Sequence, residues 1–394
     1  MSVSAQDRTG SAPPLPESKL PAVGTTIFTV MSGLAQEHGA INLSQGFPDF
    51  DGPPELRARV THYIESGANQ YPPSHGMPSL RTAIADKVAD LYGHRAEADA
   101  EVTVTSGATE ALFCAIHAVV RPGDEVIVFD PAYDSYEAAV ELAGGRCVHL
   151  TLAAPDFAVD WDAVRAAITA RTRLIILNSP HNPTGAVFAP ADLDALEDVA
   201  AGTGVFLLSD EVYEHIVFDG ADHQSLLRRP ALAARAFVVS SFGKTYHVTG
   251  WKVGYCVAPA ALTVEFRKVH QYVTFTTITP VQLALADFLV AHPEHHRELG
   301  AFYQAKRDRL VKLLEPSRFT LAPSAGTYFQ LVDYSAISDE ADVDLARRLT
   351  IEHKVASIPP SVFHAEPSSA RLLRLCFAKD DATLAEAAER LCAI

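Results

Sequence analysis

The chain has 394 residues, 48% of them hydrophobic, and its formal net charge at pH 7 is −16. This length exceeds what one simple core organises, so we expect two or three domains, or one large and one small domain. The negative charge argues against a nucleic-acid or anionic-membrane partner, although a local group of cations could still bind a small anion.

The N-terminal segment and the cysteines bear on the location of the protein. Residues 1–18 are polar, lack the apolar segment of a signal peptide and predict a disordered tail, and no apolar run is long enough to span a membrane. The five cysteines are scattered and form no Cys-x-x-Cys pair, which favours free thiols in a reducing compartment. We therefore expect a soluble, cytoplasmic protein.

Three neighbouring histidines, His292, His295 and His296, are the strongest sign of a metal site. Pro293 and Glu294 lie among them and are typical of a helix start, and no matching cluster occurs elsewhere in the sequence. We therefore predict a solvated helix start at these residues and no bound metal.

An amphipathic arm and two irregular loops come first in the chain. Apolar residues recur at helical spacing within residues 19–35. Gly46, before Phe47-Pro48, predicts a loop where backbone could approach a ligand, although a plain turn explains it equally well. The turn-rich loop at residues 69–76 presents Tyr71, which on residue type alone is more often a packed or exposed aromatic than a ligand contact.

A turn of small residues links a strand and a helix near residue 106. The strand is predicted at Val102–Thr105, the helix at 110–120, and Ser-Gly-Ala-Thr at 106–109 joins them. Such a turn offers free N–H groups and the positive end of a helix dipole to an anion, most often a phosphate, although close packing alone also favours small residues. The turn lacks the P-loop and Gly-x-Gly-x-x-Gly patterns, which argues against a nucleotide.

Strands and helices alternate from about residue 100 to residue 260. Further strands are predicted at 125–129, 146–151, 173–177, 205–209 and 236–240, which indicates an α/β fold with a mostly parallel sheet and helices on both faces. Five polar or aromatic residues follow strand ends, where open α/β sheets bind ligands: Thr109, Tyr133, Asn182, Asp210 and Lys244.

The pattern changes beyond about residue 285, where it indicates a second, α+β domain. A long charged helix is predicted at 294–315, short strands at 319–321, 327–331 and 371–377, and helices at 342–353 and 381–392.

Lys244 lies between two apolar strands, beside hydroxyls and a glycine, where its amine could react with a carbonyl. Pyridoxal 5′-phosphate (PLP) needs such a lysine, a carboxylate such as Asp210, a phosphate cup and an aromatic face. Ser241 and Lys244 also match the Ser-x-x-Lys pattern of penicillin-binding proteins, but the accompanying Ser-Asp-Asn and Lys-Thr-Gly motifs do not occur. The set of residues therefore favours PLP.

From about residue 20 to its end, the chain resembles the class I aminotransferases, PLP enzymes of fold type I. The resemblance is carried by NLSQGFPDF at 42–50, SGATEAL at 106–112, SPHNPTG at 179–185, SDEVYEH at 209–215, SSFGKTYH at 240–247 and RLCFA at 374–378. Within the family it is most similar to the bacterial methionine aminotransferases and the related kynurenine/glutamine aminotransferases. This implies a large PLP-binding domain at 48–285 and a small domain formed by 286–394 with the arm at 19–47.

The resemblance also implies roles for the residues around the cofactor ring. Lys244 would bind PLP covalently and carry the proton, Asp210 would pair with the pyridine nitrogen, and Tyr213 would hydrogen-bond the ring 3-oxygen. These three would be the catalytic residues. Asn182 would also hydrogen-bond the ring 3-oxygen, and Tyr133 would stack on the ring.

Other residues would hold the phosphate or the substrate. The phosphate set is Gly107, Ala108, Thr109, Ser241 and Lys252, where Lys252 replaces the arginine of many class I members. Tyr71 would reach the phosphate of a neighbouring subunit, which implies a homodimer with shared sites. Arg374, with Asn182 and the backbone of Gly46, would bind the substrate carboxylate. Arg371 is an alternative that strand alternation places on the opposite face.

The implied reaction is a ping-pong transfer of the amino group from methionine, and from aromatic or other large neutral amino acids, to a 2-oxo acid. Phe28 and Phe275 would form an apolar side-chain pocket or belong to plain core. Alternatives are a kynurenine/glutamine-type aminotransferase and a PLP β-lyase acting on cysteine S-conjugates. A PLP-sensing transcription regulator would need a DNA-binding domain, for which the residues before the arm leave little room.

Overall fold

A computed structural model describes residues 16–394, so most of the predicted disordered tail at 1–18 lies outside the described residues. The helices are α1 (Ile27–His38), α2 (Pro54–Glu65), α3 (Pro78–Tyr92), α4 (Ala98–Glu101), α5 (Gly107–Val119), α6 (Ser135–Leu142), α7 (Trp161–Ala167), α8 (Pro190–Ala200), α9 (Pro230–Ala233), α10 (Phe242–Thr245), α11 (Ala260–Val273), α12 (Thr279–Ala291), α13 (Pro293–Leu314), α14 (Asp342–Glu352) and α15 (Asp381–Cys392).

The strands are β1 (Ile41–Asn42), β2 (Val102–Thr105), β3 (Glu125–Asp130), β4 (Arg146–Thr151), β5 (Thr172–Asn178), β6 (Phe206–Asp210), β7 (Ala236–Ser241), β8 (Gly254–Val257), β9 (Phe329–Asp333), β10 (Val355–Ala356) and β11 (Leu372–Cys376). Seven of them form one sheet in the order β2-β8-β7-β6-β5-β3-β4. In this sheet β8 runs in the opposite direction to the other six strands, which are parallel to one another. The predicted mostly parallel sheet is confirmed.

Alternate residues of the central strands enter two different cores. Along β5, Leu174 and Ile176 belong to one apolar cluster, with α5, α6 and α11. Ile175 and Leu177 belong to the other, with α3, α8 and α12. Since successive side chains of a strand point to opposite faces, the strand is apolar on both faces and helices cover each of them.

A third apolar cluster joins the arm to the C-terminal third of the chain. It contains Met31 of α1 and Leu43 together with Leu299, Leu345 and Leu384. The two-residue strand β1 also pairs in parallel with β10, and β9 pairs antiparallel with β11. The arm therefore packs against the C-terminal elements, while the domain boundaries at 47/48 and 285/286 stay predictions.

Three features of the second half differ from the sequence-based expectations. Residues 319–321 form only an isolated bridge, from Thr320 to Asp333, and the strand expected at 327–331 begins at Phe329. Thr327 has a φ of 65°, which lies in the left-handed region and cannot belong to an extended strand. Helix α13 begins at Pro293, but its start is only partly solvated, because His296 is 4% exposed and packs beside the ring of His215.

No helix among residues 16–394 combines the length and the apolar composition that crossing a membrane would require.

The parallel topology places the carboxyl ends of β2, β3, β5, β6 and β7 at one edge of the sheet. Ligands bind at this edge in open α/β sheets, so the fold predicts a ligand site there.

Candidate active site

A cavity of about 280 Å³ opens at the carboxyl edge of the sheet. Thirteen of the residues predicted for the site line it: Phe28, Gly46, Gly107, Ala108, Thr109, Tyr133, Asn182, Asp210, Tyr213, Ser241, Lys244, Lys252 and Arg374. They come from the arm, from the ends of several strands and from β11. The fold therefore brings residues that are distant in the sequence to one place.

Lys244 lies in the short helix α10, directly after β7. Its Nζ donates to the carbonyl oxygen of Gly46 at 3.0 Å and to the hydroxyl oxygen of Tyr328 at 2.9 Å. Burial lowers the pKa of the amine to about 8. A useful fraction of the amine is therefore neutral, and hence nucleophilic, near neutral pH.

Asp210 ends β6 and is 4% exposed. The hydroxyl of Tyr136 donates to its Oδ2 at 2.7 Å, and the N–H of Val212 donates to Oδ1 at 3.3 Å. Burial raises the pKa of this carboxyl to about 6, and these two hydrogen bonds limit the rise. Asp210 is therefore mostly ionised at neutral pH and is held in a fixed orientation.

The N-terminal turn of α5 forms a cradle for an anion. Gly107 has a φ of 77°, and a Cβ added there would lie 3.3 Å from both Cε and Nζ of Lys252. A Cβ on Gly254 would lie 2.9 Å from the backbone nitrogen of Ala108, so this glycine lets the strand approach the turn. Backbone N–H groups, the helix dipole and one lysine thus act together.

Arg374 supplies a second cationic centre, and its side chain is completely buried. Its Nη1 donates to Asn182 Oδ1 at 2.8 Å and its Nη2 to the carbonyl oxygen of Ser44 at 2.7 Å. Within residues 16–394 its Nε has no hydrogen-bond partner. The pKa of Arg374 falls to about 10 through burial, so the guanidinium stays charged at neutral pH.

Arg371, the alternative residue for binding the substrate carboxylate, lies outside the cavity. Arg371 pairs with Asp339 at 2.6 Å on the surface, and its side chain is 37% exposed. It does not line the cavity at the sheet edge. Of the two arginines, Arg374 therefore has the geometry to bind a small anion there.

Two predicted residues lie outside the cavity of their own chain. Tyr71 is 84% exposed and Phe275 is 43% exposed, and their rings meet edge to face with centroids 5.4 Å apart. The single chain thus brings Phe28, but not Phe275, to the cavity. A role for Tyr71 at the phosphate of a second copy, and for Phe275 in an apolar side-chain pocket, stays a prediction.

Several residues at the site were missed from the sequence, and the side chains of three of them contact Asp210, Lys244 or Arg374. Tyr136 lies in the first turn of α6, three residues after Tyr133, and its hydroxyl donates to Asp210. Tyr328, which contacts the Lys244 amine, and Phe329, whose ring centroid lies 3.9 Å from the Arg374 guanidinium, come from β9 and the turn before it. No local pattern links these two residues to partners that are tens of residues away.

Comparison with known proteins identifies the family. Residues 38–391 match the family model described as aminotransferase class I and II. The chain belongs to this family. It is 58% identical to the methionine aminotransferase of Escherichia coli (strain K12), over 96% of this chain and 98% of that protein. It is 34% identical to the kynurenine–oxoglutarate transaminase of Dictyostelium discoideum, over 95% of each chain.

The solved structures agree with this assignment. The crystal structure of Escherichia coli YbdL, described as having a methionine aminotransferase function, covers 97% of this chain and all of that chain with a TM-score of 0.95 and 57% identity. This aminotransferase therefore has the expected fold: a large, mostly parallel sheet flanked by helices, as in PLP enzymes of fold type I. The sequence-based assignment to the class I aminotransferases is confirmed.

We expect Lys244 to titrate far below an ordinary lysine. In the cofactor-free aminotransferase, brief labelling with an acylating reagent should modify Lys244 half-maximally near pH 8, because burial lowers its pKa to about 8. An exposed lysine should reach half-maximal labelling near its usual pKa of about 10.4. Peptide mass spectrometry over a pH series measures both. A midpoint for Lys244 at or above that of exposed lysines would contradict the result.

Proposed function

We propose that this aminotransferase is a PLP-dependent transaminase that takes the amino group preferentially from methionine. One observation carries the proposal: a single cavity holds the amine of Lys244, the carboxylate of Asp210 and the guanidinium of Arg374, whose Nε has no partner in the described part of the chain. The 58% identity to a protein named methionine aminotransferase supports the choice of donor.

The residues at the cavity fit PLP in charge and in chemistry. The glycine-lined turn at 107–109 and Lys252 form an anion cradle of the kind a phosphate needs, and Ser241 adds a hydroxyl. Tyr133 offers an aromatic face, and Asp210 offers a carboxylate to a ring nitrogen. Lys244 offers a nucleophilic amine for covalent attachment.

Each residue then has a defined task in the reaction. PLP, when bound, supplies an electron sink for the bonding electrons of the substrate α-carbon. Asp210 would keep a proton on the ring nitrogen by a charge-assisted hydrogen bond. The Lys244 amine would move the proton at the substrate α-carbon, and Tyr213 would donate a hydrogen bond to the ring 3-oxygen, assisted by Asn182.

Arg374 would orient the substrate. A planar guanidinium binds a carboxylate through two parallel hydrogen bonds, and this one is fixed between Asn182 and the ring of Phe329. The backbone of Gly46 lies at the same cavity and would also contact the carboxylate. The substrate carboxylate and the cofactor phosphate would thus occupy two separate cationic centres.

The apolar lining favours large neutral side chains. Phe28 and Val212 belong to this lining, and the Phe28 ring lies 5.4 Å from the Arg374 guanidinium. Apolar contacts separate such side chains by only about 1–3 kcal/mol per methylene, so we expect activity with aromatic donors as well as methionine. The identity to a kynurenine transaminase is consistent with a broad donor range.

We also propose that the active unit is a homodimer. Exposed apolar side chains at the end of α11 and the adjoining loops support a covering partner, namely Tyr71, Tyr272, Val273, Phe275 and Ile278. A second copy placed there would allow Tyr71 to reach the phosphate of its partner. The large domain at 48–285, the small domain formed by 286–394 with the arm, and the cytoplasmic location complete this proposal.

A donor panel tests the choice of substrate. PLP-loaded protein should show its highest kcat/KM with methionine, with phenylalanine and tyrosine within about 100-fold, because an apolar pocket discriminates weakly among such side chains. Kynurenine and glutamine serve as the competing donors, each with several 2-oxo acids as acceptors. Release of pyruvate and ammonia from a cysteine S-conjugate without an acceptor measures the β-lyase alternative. A kcat/KM for kynurenine or glutamine above that for methionine would overturn the donor assignment.

Arg374→Lys should raise the KM for the amino acid about 10- to 100-fold, since a lysine cannot form the two parallel bonds of a guanidinium. Cofactor absorbance should be retained, because the proposed phosphate residues are untouched. Arg371→Lys is the matched control and should leave KM within about twofold. The opposite pattern, with the larger effect at Arg371, would show that the carboxylate binds elsewhere.

A further inference from the structure

His270 of α11 is 1% exposed, and both of its ring nitrogens lie against hydrogen-bond acceptors. Its Nδ1 is 2.8 Å from Oε1 of Glu110, and its Nε2 is 2.7 Å from the carbonyl oxygen of Ser74. A carbonyl oxygen carries no hydrogen, so Nε2 must carry one. If the carboxylate is ionised, Nδ1 must also carry one, and the ring is a cation.

Glu110 has the surroundings of an ionised carboxylate. Besides His270, the Cys114 thiol donates to Oε1 at 2.9 Å, and the backbone N–H of Ser106 donates to Oε2 at 2.9 Å. The thiol and the backbone N–H donate whatever the protonation of His270, and donors on a buried carboxylate favour its charged form. The atoms of Glu110, Cys114 and His270 lie within 4.8 Å of one another, as in a metal site, but these hydrogen bonds already account for the cluster.

The ion pair therefore joins two parts of the proposed site. On one side, Glu110 holds Ser106, which directly precedes the anion cradle at 107–109. On the other, His270 holds the loop 69–76, which presents Tyr71. The same loop is held by uncharged groups as well, since the Thr279 hydroxyl donates to the carbonyl oxygen of Gln70 at 2.6 Å.

We propose that Glu110 and His270 are positioning residues whose buried ion pair fixes the anion cradle and the Tyr71 loop relative to each other. This inference rests on the proposed function, in which the cradle takes the cofactor phosphate and Tyr71 reaches the phosphate of the partner. One ion pair would then align this chain's contributions to both sites of the dimer.

The charges around His270 determine how the pair responds to pH. Burial disfavours the cation, and the neighbouring Arg267 does so too, but the bonds to Glu110 and Ser74 outweigh them, so the pKa of His270 is raised. His75, in the same loop, has its pKa lowered to about 4, chiefly by burial, and so stays neutral near neutral pH. Cys114 remains a thiol, because burial raises its pKa.

A group whose pKa is raised by folding contributes fully to stability below its pKa in the unfolded state. This contribution is lost as the pH rises through its pKa in the folded state. A neutral His270 has one N–H for two acceptors. The hydrogen should stay on Nδ1, since a bare nitrogen would otherwise face the carboxylate. The bond to Ser74 is then lost, and the loop 69–76 is released at alkaline pH.

Hydrogen exchange of residues 69–76 in the full-length, PLP-loaded protein tests this inference. After correction for intrinsic rates, protection should fall about 10- to 100-fold as the pH is raised from about 6.5, the usual pKa of a histidine, into the alkaline range, the effect of losing one hydrogen bond to a charged group. In Glu110→Gln, the amide can donate to Nδ1 of a neutral ring that keeps its Nε2–H on Ser74. Protection should therefore no longer change over this range.

Thr279→Val is the matched control, because it removes an uncharged contact to the same loop. It should lower protection at both ends of this pH range while leaving the pH response intact. His270→Phe should lower protection at both and abolish the response; if it fails to fold, Glu110→Gln still decides the matter. Equal pH responses in the unmodified protein and Glu110→Gln, or none in the unmodified protein, would overturn the inference. Exchange does not depend on turnover, so a failed donor panel would leave this result readable.

Discussion

The amine of Lys244 is buried, and three distant parts of the chain must meet around it. The carbonyl oxygen of Gly46 comes from the arm, the hydroxyl of Tyr328 from the C-terminal third, and the lysine itself from the end of β7. Burial removes water from the charged form of the amine and so lowers its pKa, here to about 8. The same burial that makes the amine costly to accommodate makes it reactive near neutral pH. The packing of the arm against the C-terminal elements therefore matters for the reactivity of Lys244, because it places the two acceptor oxygens beside the amine.

The charges at the cavity contrast with those of the whole molecule. The chain has a net charge of −16, yet the charged residues that line the cavity are Lys244, Lys252, Arg374 and Asp210. A locally cationic cavity in an acidic protein suits small anionic ligands and disfavours large polyanions. Two of its cations suit anions of different shape. Lys252 adjoins the backbone N–H groups of the α5 turn, and Arg374 offers a planar guanidinium. This separation matches a ligand pair in which one member carries a phosphate and the other a carboxylate.

The sequence predicted the parts of the site that depend on local pattern. Asp210 and Lys244 follow apolar strands, and parallel strands bring their carboxyl ends to one edge, so their convergence could be inferred. Tyr328, Phe329 and the carbonyl of Ser44 could not be, because their contacts join segments with no shared periodicity. The strand expected at 327–331 also begins later, at Phe329, since Thr327 has a left-handed backbone that fits neither a strand nor a right-handed helix. Tyr71, taken from the family resemblance, and Phe275, expected in an apolar pocket or in the core, both lie outside the cavity of one chain, and no local pattern indicates this placement.

The central claim is that Lys244 binds the cofactor covalently, and chemical trapping tests it most directly. PLP-loaded protein would be reduced with borohydride, digested and analysed by peptide mass spectrometry. The account predicts that the cofactor-derived mass lies on the peptide containing Lys244, that Lys252 is unmodified, and that Lys244→Ala carries no trapped cofactor. Trapped cofactor on another lysine, or its persistence in Lys244→Ala at the level of the unmodified protein, would contradict the account.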